Sequence, residues 1–229
     1  MESIAIHDSD KTRFPNYSLM KISAYHKAHG DCVEWWNPLM QYDRVYSSKV
    51  FTFTPECEYL PEDAIKGGTG YGIYKDLPAE IDDMFPDYEM YPSIKYAIGF
   101  LTRGCIRKCP WCVVPKKEGA VRPYREWNEI KRPECRDIVF MDNNVLASDY
   151  GIDQMSKMIG HNVRVDFNQG LDARLITPEI AEILSRLKWI RQIRTACDTD
   201  ASMEDVGKMV NLLNMGGGET ISDICLCTG

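Results

Sequence analysis

Phe100-Leu-Thr-Arg-Gly-Cys105-Ile-Arg-Lys-Cys109-Pro-Trp-Cys112-Val-Val-Pro115 is the stretch on which the reading of this chain turns. Its cysteines have the spacing C-x3-C-x2-C, and all three lie within eight residues. Thiols so close in sequence can turn together toward one small inorganic cluster. They cannot close a cubane, which has four irons that each need a ligand. One iron would stay open to a ligand from outside the loop, and an open metal position is where chemistry happens. The apolar run at 96–101 reads as a strand leading into the loop, which places the cysteines at that strand's C-terminal end.

The pattern repeats downstream. Residues 137–141, 162–167, 189–196 and 221–227 read as further strands. Residues 124–131, 152–159 and 203–215 read as helices, the last closed by Gly216-Gly217-Gly218. Thr177-Pro178-Glu179 is a strong helix start, with Thr as cap and Pro in the first turn. Five strand units without a hairpin signal predict parallel strands with right-handed crossovers. Chemistry in such folds gathers at the C-terminal strand ends. The polar groups fall there: the cysteine loop, Asp142-Asn143-Asn144, Asn168-Gln169 and Cys197-Asp198.

The N-terminal part also alternates. Strands are expected at 3–7, 33–36 and 44–53, with a helix over 17–29 stopped by Gly30-Asp31. A fourth short segment ends in Gly67-Gly68-Thr-Gly70-Tyr-Gly72, which lacks the G-x-G-x-x-G spacing of a phosphate loop and reads as a tight turn. Residues 1–75 are thus expected to form a small Rossmann-like α/β domain. Residues 76–94, with three prolines and a run of acids, read as a linker. Residues 95–229 form the second domain. It stops at its fifth strand, and a sixth βα unit would need roughly 30 more residues. A short or truncated partial barrel is the expectation.

The 229 residues are 44% hydrophobic and 27% charged, as in ordinary globular domains. No stretch approaches the ~20 apolar residues of a membrane span. The first residues lack a basic segment followed by an apolar one, so no secretory signal and a cytoplasmic location are expected. The net charge of -7 argues against a nucleic-acid partner. Basic residues do gather near the loop: Arg103, Arg107, Lys108, Lys116, Lys117, Arg122 and Arg125. They would steer an anion, offset the charge of a thiolate-bound cluster, or form a solvated rim. Nine cysteines in such a chain do not suggest a disulfide framework. Cys32, Cys57, Cys197, Cys225 and Cys227 read as free thiols.

A zinc site needs four closed ligands. Cys135 and His161 both precede strands, the wrong end to meet the loop. A closed electron-transfer cluster lacks the same fourth ligand. The open-site cluster is therefore preferred.

With an aromatic residue before the third cysteine and an apolar strand before the first, residues 95–229 resemble the radical S-adenosylmethionine (radical SAM) enzymes. The resemblance implies a partial (β/α)6 barrel. It implies a [4Fe-4S] cluster on Cys105, Cys109 and Cys112, whose fourth iron takes the amino and carboxylate groups of S-adenosyl-L-methionine. Reduction by an external flavodoxin- or ferredoxin-like donor would then give methionine and a 5'-deoxyadenosyl radical that abstracts hydrogen from a substrate. Trp111 matches the aromatic position near the adenine. The family's Gly-Gly-Glu is replaced by Met141-Asp142-Asn143-Asn144, where Asp142 or Asn143 would accept from the ammonium. The literal Gly217-Gly218-Glu219 precedes a strand and reads as a turn. Gln169 and Arg174 follow the third strand. Arg174 would meet the SAM carboxylate, or else pair with Asp172 or Glu179. Asp198 would touch ribose or methionine, or cap the next helix.

The N-terminal half resembles cobalamin-binding or methylthiotransferase domains in degenerate form. None of His7, His26, His29 and His161 sits in a D-x-H-x-x-G mark, and only Cys32 and Cys57 stand where that second family has three cluster cysteines. Substrate docking or support is its implied role. The substrate, a small molecule or peptide, and the catalytic residues stay unassigned. The alternatives are a non-catalytic iron–sulfur or zinc module and an RNA-modifying radical SAM enzyme.

Overall fold

The computed structural model describes residues 1–197, 200–215 and 224–227. It divides into two compact units, Met1–Ile94 and Lys95–Gly229. Both are mixed α/β structures on parallel strands.

The first unit contains β1 (Ser3–Asp8), α1 (Tyr17–Ala28), β2 (Cys32–Trp35), β3 (Arg44–Ser48) and β4 (Ile65–Gly67). The strand order is β2-β1-β3-β4, and every pairing is parallel. Ile4, Ala5 and Ile6 of the central strand are wholly buried, as a strand covered on both faces demands. Asn16 caps α1 by accepting from the Leu19 N–H at 3.3 Å. Leu19 and Ile22 then pack with Ile6.

Two expectations change here. The third strand stops at Ser48 rather than running to 53. The Asp10 carboxylate takes the Val50 and Phe51 N–H groups at 2.6 and 3.4 Å and withdraws them from strand pairing. Residues 76–94 are not a free linker. They form α2 (Ala79–Asp82) and a 3-10 turn at Tyr88–Met90, and Ile81 and Met90 join the core of this unit. Two of its acids are tied down: Asp82 pairs with Lys21 at 2.9 Å, and Asp87 accepts from Ser23 at 2.6 Å. Apolar residues set among the prolines gain more by burial than the chain loses by being ordered.

The second unit begins with β5 (Ala97–Gly99), β6 (Thr102–Arg103), α3 (Val114–Lys117), β7 (Arg122–Pro123) and α4 (Trp127–Ile130). It continues with β8 (Asp137–Phe140), α5 (Asp149–Met158), β9 (Arg164–Phe167), α6 (Pro178–Arg186), β10 (Ile193–Ala196), α7 (Asp200–Met215) and β11 (Ile224–Cys227). The parallel sheet β5-β8-β9 continues toward the parallel pair β10-β11 through parallel bridges Val165↔Trp189 and Leu171↔Thr195. Neighbouring strands thus follow chain order. Phe140 and Phe167 stack at 5.1 Å between the strands. Met155, Leu184, Met209 and Leu213 bring the helices onto that core. Truncating a buried leucine such as Leu184 costs about 2–5 kcal/mol.

Thr177 caps α6 as expected, accepting from the Ile180 N–H at 3.3 Å. Helix α5 starts three residues before the expected 152, because Ser148 caps it through the Gly151 N–H at 3.3 Å. An antiparallel pair, β6 with β7, was not expected and closes the base of the cysteine loop. The glycines at 216–218 and Asp198 lie outside the described residues. Among those described, no helix is long and apolar enough to cross a membrane.

Candidate functional site

The loop between β6 and β7 is held at both ends. Thr102 and Arg103 pair with Pro123 and Arg122. The Cys105 N–H donates to the Gly119 carbonyl at 3.2 Å, and the Tyr124 N–H to Leu101 at 2.9 Å. Gly104 makes the closure possible. Its φ is +85°, and a Cβ there would lie 2.2 Å from the Ala120 oxygen.

Glu118 is the inner latch, and nothing in the sequence pattern marks it. Its carboxylate accepts from Arg103 Nη2 at 2.7 Å, the Gly104 N–H at 2.9 Å and Asn143 Nδ2 at 2.8 Å. The Arg103 guanidinium also lies 4.2 Å from the Phe100 ring and 5.4 Å from that of Tyr124. Asn143, a candidate acceptor for an ammonium through its Oδ1, donates to this latch through its Nδ2.

Asp142, the other candidate acceptor, is buried and committed inward. It takes the N–H groups of Leu101 and Thr102 at 3.0 and 2.6 Å and the Thr102 hydroxyl at 2.8 Å. Burial pushes its carboxyl up to about 6, while these hydrogen bonds pull the other way. It ties the end of β8 to the start of the loop.

Asn144, the third residue of that triplet, reaches the cysteines. It is 4% exposed. Its Nδ2 donates to Cys105 Sγ at 3.6 Å and to Asp172 Oδ2 at 3.1 Å. Its Oδ1 is buried and has no hydrogen-bond partner among the described residues. Cys105 Sγ also accepts the Arg107 N–H at 3.3 Å.

Asp172, just after β9, gathers the other side. It accepts from Arg107 Nε at 3.0 Å and Arg174 Nε at 2.6 Å. Burial works against its charge, but the hydrogen bonds from Arg174 and Arg107 outweigh this and hold its carboxyl below the usual range. Arg174 thus pairs with Asp172, one of the two acids named for it. Arg103 and Arg107, counted in the basic run, sit within ion pairs rather than on a solvated rim. Gln169 is exposed, and Asn168 accepts from Arg194 Nη1 at 3.0 Å. Trp111 is exposed on the loop.

Cys105 and Cys109 are half-buried and Cys112 is exposed, with the Cys112 N–H turned back onto the Cys109 carbonyl at 3.0 Å. Among the described residues, no three His, Cys, Asp or Glu side chains converge to hold a single metal ion. A cubane takes each thiolate on a different iron, so it does not require them to meet at one point. The donor set fits such a group: three accessible thiols on a clamped loop, two N–H groups on one sulfur, and a buried acceptor left open beside it. Cys135 precedes β8, at the opposite strand end, and donates to the Asp137 carbonyl at 3.7 Å.

The chain is thus a mixed α/β protein with a polar, cysteine-bearing site at the C-terminal ends of parallel strands. No family model matches it, and no curated protein matches it.

Proposed function

We propose that this chain is a radical SAM enzyme whose Cys105, Cys109 and Cys112 hold a [4Fe-4S] cluster. The observation that carries this reading is the mounting of the C-x3-C-x2-C loop beyond β5, with Asn144 after β8 and Asp172 after β9 reaching it. The order β5-β8-β9, extended toward β10-β11, is the succession a partial (β/α) barrel requires, and it supports that fold.

When bound and reduced, the cluster would supply an electron to the sulfonium of S-adenosyl-L-methionine and so yield a 5'-deoxyadenosyl radical. This chain's residues do the rest. Asn144 and the Arg107 N–H donate to Cys105 Sγ and lower the charge on that sulfur. The buried Oδ1 of Asn144, without a hydrogen-bond partner among the described residues, would accept from the methionine ammonium beside Asp142 or Asn143. Arg174 and Arg107, both held on Asp172, would bring guanidinium charge to the carboxylate. Trp111, exposed beside the cysteines, would give the adenine a stacking surface. The electron would come from a flavodoxin- or ferredoxin-like partner, and the hydrogen from a small-molecule or peptide substrate.

The test is anaerobic reconstitution of the full chain with iron and sulfide, then SAM and dithionite. About four irons per chain and free 5'-deoxyadenosine are expected. Alanine at Cys105, Cys109 or Cys112 should abolish both, whereas Cys135→Ala should retain them. A fully loaded cluster that releases no 5'-deoxyadenosine would identify a non-catalytic iron–sulfur module instead.

A further inference from the structure

In Met1–Ile94 the strand order β2-β1-β3-β4 reverses between β1 and β3. From β1 the chain adds β2 on one side, then returns to add β3 and β4 on the other. In open parallel sheets the crevice beyond the C-terminal ends at such a reversal is where ligands bind.

Polar side chains gather at that edge. His7 Nδ1 lies 2.9 Å from Ser47 Oγ. The Tyr71 hydroxyl lies 2.8 Å from Ser47 Oγ and 3.0 Å from Ser9 Oγ. Tyr71 is carried by the glycine-rich segment, which presses onto β3's end. The Gly70 N–H donates to the Lys49 carbonyl at 2.9 Å, and a Cβ on Gly68 or Gly70 would fall 2.3 or 2.5 Å from Lys49.

Lys49 is the telling residue. It is 4% exposed, and its Nζ stands 5.3 Å from the Tyr71 ring centre. Lys66 Nζ stands 5.4 Å from the same ring. Neither ammonium has a carboxylate partner among the described residues. Buried lysines are almost always paired, and a ring face compensates only part of the charge. The acids nearby in sequence are already engaged. Asp10 accepts from Val50, Phe51 and the Thr54 hydroxyl, and Asp8 from the Tyr91 hydroxyl at 3.2 Å and the Asp10 N–H at 3.3 Å. The edge therefore offers several hydroxyls and two cations that, among the described residues, no carboxylate pairs with.

We infer that this edge binds the phosphoryl group of a small phosphorylated ligand, with Lys49 and Lys66 supplying charge and Ser9, Ser47 and Tyr71 supplying directed donors. Donors on three separate segments suit a tetrahedral anion better than a planar carboxylate. This site belongs to the first unit and the cysteine loop to the second, and the inference does not depend on the iron–sulfur reading.

The test is isothermal titration of the full-length protein with inorganic phosphate and, separately, acetate. Saturable phosphate binding is expected. Lys49→Met should weaken it about tenfold or more, while Lys49→Arg keeps it within about threefold. Lys66→Met changes an exposed residue, so it tests the site even if Lys49→Met does not fold, and it should also weaken binding. Absence of phosphate binding, wild-type affinity in both methionine variants, or acetate binding as tightly as phosphate would each overturn the assignment.

Discussion

Glu118→Ala should release the cysteine loop without unfolding the chain. The side chain is 7% exposed and accepts three hydrogen bonds, two from loop groups and one from Asn143. A hydrogen bond to a charged group contributes about 1.5–3 kcal/mol, and breaking a buried ion pair costs about 3–5 kcal/mol. Arg103 keeps its contacts with Phe100 and Tyr124, so the lower end applies, about 3 kcal/mol. At 1.4 kcal/mol per factor of ten, loop opening should become roughly 100-fold more frequent. Hydrogen exchange followed by mass spectrometry on peptides covering 101–105 and 118–124 reads this locally, without iron. Glu118→Gln keeps an acceptor but loses the charge and should give a smaller rise. If exchange in Glu118→Ala stays within about threefold of wild type, the latch does not hold the loop and the reasoning fails.

Three other outcomes are expected. Gly104→Ala should destabilise the second unit by more than about 1 kcal/mol in denaturant titration, since its φ is +85° and the added Cβ meets backbone. Asn144→Leu should leave the cluster able to assemble but shift its midpoint potential downward, roughly fivefold in the reduction equilibrium for a hydrogen bond of about 1 kcal/mol, as read by a redox titration followed by electron paramagnetic resonance. The Asp142 carboxyl, raised to about 6 from 3.8, holds a proton in the native state that the unfolded chain has released between those values. Its contribution to stability is therefore fully present below about pH 4 and lost as pH rises through 6, a swing of about 3 kcal/mol at most. Denaturant midpoints of wild type and Asp142→Asn from pH 4 to 7 should fall more steeply with rising pH in wild type, the difference being the Asp142 contribution.

The strands and long helices were legible because burial writes itself into apolar runs and caps. The Thr177-Pro178 start of α6 shows this best. In 76–94 prolines and acids are as many as the hydrophobic residues and break up any apolar period, yet Ile81 and Met90 suffice to seat the stretch. The two-residue pair β6–β7 is too short to carry any periodicity. Asp142, Asn143 and Asn144 were recognised as a polar group at a strand end. Which of the three turns inward, which to the latch and which to the sulfur depends on neighbours 25 to 41 positions away.

The linear order of residues was enough to put three thiols on one loop at a strand's C-terminal end, because covalent spacing and hydrophobic period are local properties. Folding alone determined that Glu118, Asn144 and Asp172 surround that loop, and that Lys49 is buried without a carboxylate partner among the described residues. Such facts arise when strands distant in sequence pair side by side, and hydrogen bonds and charge compensation are decided only then.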